Sequence, residues 1–104
     1  MTLIGKTYIP TDNSYTKNLT GTKTYFLAGT LTGLPPKQTR IVSEPYMQEV
    51  DTVGGRKKEI EVINVSIGFD IVMVMYDADN VDRDLSEAIR RNQERMRIAN
   101  EWGL

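Results

Sequence analysis

Apolar and polar positions divide the chain into two regimes. Up to residue 76 the hydrophobic residues come in short runs, β-branched or aromatic and broken by glycine and proline; beyond residue 81 they recur at helical spacing. Lys6-Thr-Tyr-Ile9 reads as a short strand stopped by Pro10, and Thr11 to Thr22, rich in Asn, Ser, Thr and Gly, reads as a polar loop. Thr24 to Thr32, with β-branched and aromatic content, reads as the next strand, ended by Gly33-Leu-Pro-Pro36. Thr39-Arg-Ile-Val-Ser43 follows, after which Glu44-Pro45 bends the chain, because proline removes a ladder donor and restrains the residue before it.

Tyr46 to Val53 leads into Gly54-Gly55, a hairpin signal, and the return strand runs from Lys57 to about Ile67. In that strand Ile60 and Val62 share one face while Ile63, Val65 and Ile67 occupy the other. The slip between Val62 and Ile63 predicts either a bulge or a strand buried on both faces. Gly68-Phe-Asp70 turns the chain again, and Ile71 to Tyr76 returns as the most hydrophobic strand.

The spacing predicts a helix over 83–101, about 28 Å long at roughly 1.5 Å per residue. Leu85, Ile89, Met96 and Ala99 fall on one stripe, and Asn92 fills the gap between Ile89 and Met96. Arg95 lands between Ala88 and Trp102, at the edge of the same face. The expected fold is therefore α+β: a small antiparallel sheet or SH3-like partly open barrel followed by one long C-terminal helix. It forms a single domain over 1–104, with a β-rich part over 1–80 and the helix over 81–104. The apolar face of that helix must cover the sheet, the barrel mouth or another copy.

With 104 residues the chain suffices for one modest core. Its net charge of −1 argues against a strongly basic nucleic-acid binder, and no sequence-specific nucleic acid is expected as a partner. The chain has no cysteine, which removes disulfides, zinc fingers and thiol catalysis, and no histidine, the usual general base near neutral pH. The sequence thus points away from an enzyme and from a cofactor. The N-terminus lacks a signal-peptide pattern, and the longest apolar run, Ile71 to Tyr76, is too short to span a bilayer. The expected location is the cytosol.

Several clusters carry candidate chemistry. Asp77-Ala-Asp-Asn-Val-Asp-Arg-Asp84 suggests a cation loop, but the frame of an EF-hand fails: counting from Asp77, position 6 is Asp82 and position 12 is Ala88. Helix-start chemistry fits better, with Asp82 or Asp84 capping exposed N–H groups. Gly55-Arg-Lys-Lys58 is a basic hairpin tip, read as solvated. Arg91 and Arg95 stand one helical turn apart, a spacing that lets two guanidiniums converge on one phosphate, although Glu87 also reaches Arg91 at i,i+4. Asn92 in an apolar stripe fixes register in a helix–helix seam, or else meets a strand carbonyl of its own domain.

Ile4-Gly-Lys-Thr-Tyr-Ile-Pro10, Asn13-Ser-Tyr-Thr16 and Ile41-Val-Ser-Glu-Pro-Tyr46 resemble short uncharacterised proteins from phages and mobile elements of Gram-positive bacteria. The resemblance covers less than half of the chain and includes no catalytic motif. It implies a setting, that of a small accessory protein used against or alongside host machinery, in the host cytosol if phage-encoded, rather than an activity. Two functions are then expected to compete. One is a non-catalytic, self-associating protein that sequesters a small anionic ligand such as a nucleotide immune signal. Arg91, Arg95 and Arg40 would meet the phosphates, a base would stack on Tyr46 or Tyr76, and Asn92 would supply a polar contact. The other is a protein–protein module that binds or inhibits a host protein through a strand edge or the polar loop.

Overall fold

The longest strand, Lys57–Ile67, pairs with three others and forms the middle of the sheet. A computed structural model describes residues 2–10, 16–20 and 36–102. Within these, β1 (Thr7–Tyr8), β2 (Thr16–Asn18), β3 (Thr39–Ile41), β4 (Tyr46–Asp51), β5 (Lys57–Ile67) and β6 (Asp70–Met75) form one antiparallel sheet ordered β1-β3-β5-β6-β2, with β4 also on β5. The sheet curls into a half-barrel and is followed by one long helix, α1 (Leu85–Glu101). The expected architecture is therefore the observed one. The expected strand over Thr24–Thr32 lies outside the described residues.

One edge of β5 serves two strands in turn. β4 pairs along Lys57–Val62, β3 pairs at Val65–Ser66, and β6 occupies the opposite edge over Val62–Ile67. Between β3 and β4 the ladder breaks where Pro45 bends the chain. Val42 N still donates to Asn64 O (2.9 Å), and the Asn64 amide turns to the Ser43 hydroxyl oxygen (3.0 Å). A side chain thus satisfies the backbone donor that the interruption strands. All three ladders of β5 advance residue for residue, so no bulge explains the slip between Val62 and Ile63. The strand is instead buried on both faces, with Val62 and Met73 closed off on one side and Ile63, Val65, Val72 and Val74 on the other.

Two hairpins fix this register. Between β4 and β5, Thr52 N and its hydroxyl both donate to Arg56 O (2.8 and 2.7 Å) around the Gly54-Gly55 tip. Between β5 and β6 only Gly68 and Phe69 intervene, since Ile67 pairs with Asp70. Gly68 has φ +62° and Phe69 does not share the positive φ, the pattern of a type II′ turn whose twist suits flanking strands.

One expectation is corrected. Thr11 to Thr22 was expected as loop throughout, yet Thr16–Asn18 is β2, paired with Val72–Val74 of β6. Thr16 and Lys17 are exposed, so no apolar alternation marks the strand. It is held by backbone pairing, by Leu19 N to Ile71 O (2.8 Å) and by Ile71 N to the Thr20 hydroxyl (2.7 Å). Such a strand is specified by the edge it meets, not by its own side chains.

The concave face holds the core: Tyr8, Ile41, Ile63, Val65, Val72 and Val74, with Leu3, Ile67, Tyr76 and Val81 at its margin. Each fully buried Val or Ile stabilises by about 1.5–3 kcal/mol relative to exposure. Tyr8 sits at one end of the strand order but reaches across the curl. Its hydroxyl donates to Met75 O (2.9 Å) and accepts from Asp77 N (2.8 Å), and its ring lies 6.5 Å from that of Tyr76 at 21°. The chain then crosses through a 3₁₀ turn, Ala78–Asn80, whose Asp79 N is capped by Asp77 (3.0 Å), and returns along β1. Ile9 N donates to Asn80 O (3.1 Å), Val81 bridges to Tyr8, and Asp82 N donates to Thr7 O (2.9 Å).

Asp84 starts α1 by accepting from Ser86 N and Glu87 N (2.8 and 3.4 Å), so the acidic run before the helix does contain a cap. Ala88 and Asn92 are buried and Leu85, Ile89 and Met96 half-buried; Ala99 is described by its backbone alone. Exposure resumes at Ile98 and reaches 76% at Trp102.

Replacing Tyr8 with Phe leaves Met75 O and Asp77 N without their shared partner and is expected to cost about 1–3 kcal/mol in denaturant unfolding. Burial, the largest cause, pushes the Tyr8 hydroxyl from 10.0 up to about 12. A folded-state pKa raised above the unfolded value gives stability that is complete below pH 10 and is lost as pH rises toward 12. The gap between wild type and Tyr8→Phe should therefore shrink over that window, and a gap independent of pH contradicts the bridge.

Candidate ligand-binding site

The short strand β3 alternates inward and outward, with Thr39 and Ile41 buried and Arg40 exposed. Its neighbours place matching residues beside it: Thr7 of β1 is opposite Arg40, and Arg40 is opposite Ser66 of β5. Pairing residues point to the same side of a sheet, so Thr7, Arg40 and Ser66 form a polar row on the face away from the core. Thr7, Gln38, Thr39, Arg40, Ser66, Ile67 and Gly68 line a cavity of about 280 Å³ at this end of the sheet. That is slightly below the usual range for drug-sized ligands and more polar than most such sites.

Arg40 is anchored within this row. Its Nη1 donates to Gly5 O (2.7 Å), and Gly5 can present that carbonyl because its φ of +95° lets the segment turn tightly. The turn is secured on both sides, with Gly5 N donating to Ile41 O (2.9 Å) and Ile41 N donating to Lys6 O (2.8 Å). Further out, Glu44 accepts from the Thr2 hydroxyl and from Leu3 N (3.0 Å). The Ser66 hydroxyl lies 3.4 Å from Arg40 O.

The Thr7 side of the row is held by Asp82. Its Oδ1 accepts from the Thr7 hydroxyl (3.1 Å) and Thr7 N (3.2 Å), and its Oδ2 sits 3.4 Å from Lys6 Nζ. The Thr7 hydroxyl chiefly, with the Thr7 amide and Lys6, lowers the Asp82 pKa. Asp82 also carries φ +54°, a left-handed conformation that aspartate tolerates better than most side chains.

The other residues singled out in the sequence lie in separate settings. Tyr46 is half-buried and donates its hydroxyl to Asn64 Oδ1 (2.7 Å). Tyr76 has its ring against Tyr8 and borders the core. Arg91 is exposed on α1 and paired with Glu87 (2.9 Å), the surface pairing that its i,i+4 spacing allows. Arg95 is exposed, and Asn92, only 6% exposed, is engaged in an interaction of its own. Of the expected ligand residues, Arg40 alone lines the cavity. Thr7 and Ser66 carried no motif, because only strand pairing brings them beside Arg40, and Gly68 was marked as a turn residue alone.

The chain matches no family model, no curated protein and no solved structure. Among the described residues, no helix is long and apolar enough to cross a membrane.

Because its folded pKa is depressed, Asp82 contributes stability that is present above its ordinary value of 3.8 and is lost as pH falls through the lower folded pKa. A carboxyl-detected NMR titration should place Asp82 below 3.8, with the Thr7 amide shift following the same curve. An Asp82 that titrates at or above 3.8, or a Thr7 amide indifferent to it, removes the clip.

Proposed function

We propose that the protein is a non-catalytic binder of a small anionic ligand, held through a phosphate group by Arg40 in the cavity between β1, β3 and the β5–β6 turn. The observation that carries this is the anchored Arg40 guanidinium, lined up with Thr7, Gln38 and Ser66 around that space. With Nη1 fixed on Gly5 O, the side chain has already lost much of its freedom, so less entropy is lost when its remaining N–H groups meet an anion. Guanidinium–phosphate pairs are charge-assisted and are often bidentate. Asp82 stands behind Thr7, and its charge is offset by Lys6. In the phage setting that the sequence resembles, such a protein would act as a sponge for a nucleotide immune signal. This reading moves the phosphate from Arg91 and Arg95 to Arg40, since Glu87 already holds Arg91.

Calorimetric titration with inorganic phosphate and with mononucleotides tests it. Arg40→Ala should weaken binding about 10- to 100-fold, the worth of a charge-assisted hydrogen bond of about 1.5–3 kcal/mol, and Arg91→Ala with Arg95→Ala should leave it unchanged. If the helix variants abolish binding and Arg40→Ala does not, the anion site belongs to α1.

A second reading, self-association or docking on a host protein, rests on the exposed Ile98 and Trp102 at the end of α1. Sedimentation of wild type at micromolar concentrations should show a dimer that Trp102→Ala converts to monomer; a monomeric wild type removes self-association.

A further inference from the structure

Phe69 occupies an unusual place. It is the second residue of a two-residue hairpin turn, a location dominated by glycine and small polar residues, and its side chain is fully exposed. Nothing in the fold needs a phenyl ring there: it lies outside the core, and the turn geometry is supplied by Gly68 with its φ of +62°. Gly68 itself forms part of the wall of the Arg40 cavity, so the ring is carried one residue beyond that wall. The strands on either side are paired up to Ile67 and Asp70, which gives the ring a fixed base.

The cavity also has more room than a phosphate needs. Its volume of about 280 Å³ opens widely to solvent, and its polar groups are hydroxyls, an amide and one guanidinium. A ligand that placed only a phosphate on Arg40 would leave most of this space to solvent. One that carried a sugar beyond the phosphate would fill it, and a flat ring attached to that sugar would emerge at the turn.

We infer that Phe69 is the stacking platform for the base of a nucleotide whose phosphate is held by Arg40. This rests on the Arg40 reading above and adds the ligand class to it. Stacking on an exposed phenyl ring tolerates any base, because every base presents a π-face, and selection among bases would fall to polar groups at the rim such as Gln38. The division of labour is thus between one charged anchor in the cavity and one flat apolar surface on the turn beside Gly68.

The test compares three probes, inorganic phosphate, ribose 5-phosphate and the four ribonucleoside 5′-monophosphates, on wild type, Phe69→Ala and Arg40→Ala. At least one mononucleotide should bind wild type about 5- to 150-fold more tightly than ribose 5-phosphate, the range that base–aromatic stacking supplies. Phe69→Ala should remove that advantage while leaving ribose 5-phosphate binding and the melting temperature unchanged, and Arg40→Ala should weaken all three probes. Base protons of the bound nucleotide should shift upfield in NMR spectra of wild type and not of Phe69→Ala. If ribose 5-phosphate binds as tightly as every mononucleotide, or Phe69→Ala weakens both alike, the platform is refuted and the Arg40 anion site stands. If no probe binds wild type, both the anion site and the platform are refuted.

Discussion

Closure of the half-barrel depends on the Tyr8 hydroxyl. A small curled sheet has to satisfy the backbone where β6 ends and the chain turns back toward β1, and a carbonyl or amide left alone there is costly. Tyr8 meets both needs with one oxygen, donating to Met75 and accepting from Asp77, while its ring joins the core and lies against Tyr76. From that point the chain can cross to the open edge of β1, where Asn80, Val81 and Asp82 pair with Ile9, Tyr8 and Thr7. The start of α1 is therefore positioned by the first strand, nearly eighty residues earlier in the chain.

The second organising element is β5, which is long enough to lend one edge first to β4 and then to β3. Its centre is also buried on both faces. The centre of the strand lies between neighbours on both edges and has apolar side chains on both faces, so Val62 and Ile63 are adjacent in sequence and both buried. The break between β3 and β4 is tolerated because the Ser43 hydroxyl receives the Asn64 amide. Arg40 lies beside the β5–β6 turn because it pairs with Ser66, two residues before Gly68, and the cavity is found there.

The proposed site shows how a fold with neither histidine nor cysteine can still present useful chemistry. Its polar groups are fixed by backbone geometry: Arg40 by a carbonyl that only a left-handed Gly5 presents easily, Thr7 by the Asp82 carboxylate. Groups anchored in this way hold their positions before any ligand arrives, which lowers the entropy lost on binding. The acidic run before α1 is absorbed in the same way, with Asp77 and Asp84 capping turns and Asp82 securing β1.

Local pattern was sufficient to determine much of the architecture. The hairpin at Gly54-Gly55, the turn at Gly68, the bend at Pro45 and the helix with its stripe of Leu85, Ile89, Asn92 and Met96 were all legible, because each is set by residues close in sequence. The sequence also marked the anomaly between Val62 and Ile63, but it could not choose between bulge and burial, which depends on what lies on the far side of the strand. It could not reveal β2, whose exposed Thr16 and Lys17 have no apolar pattern and are recruited by the edge of β6. Nor could it separate Arg40 from Arg91: both are arginines on regular elements, and only the register Thr7–Arg40–Ser66 puts one beside a cavity while the i,i+4 geometry gives the other to Glu87. Periodicity reports which face a side chain occupies; which distant residues share that face is decided by strand pairing, a property of the folded chain as a whole.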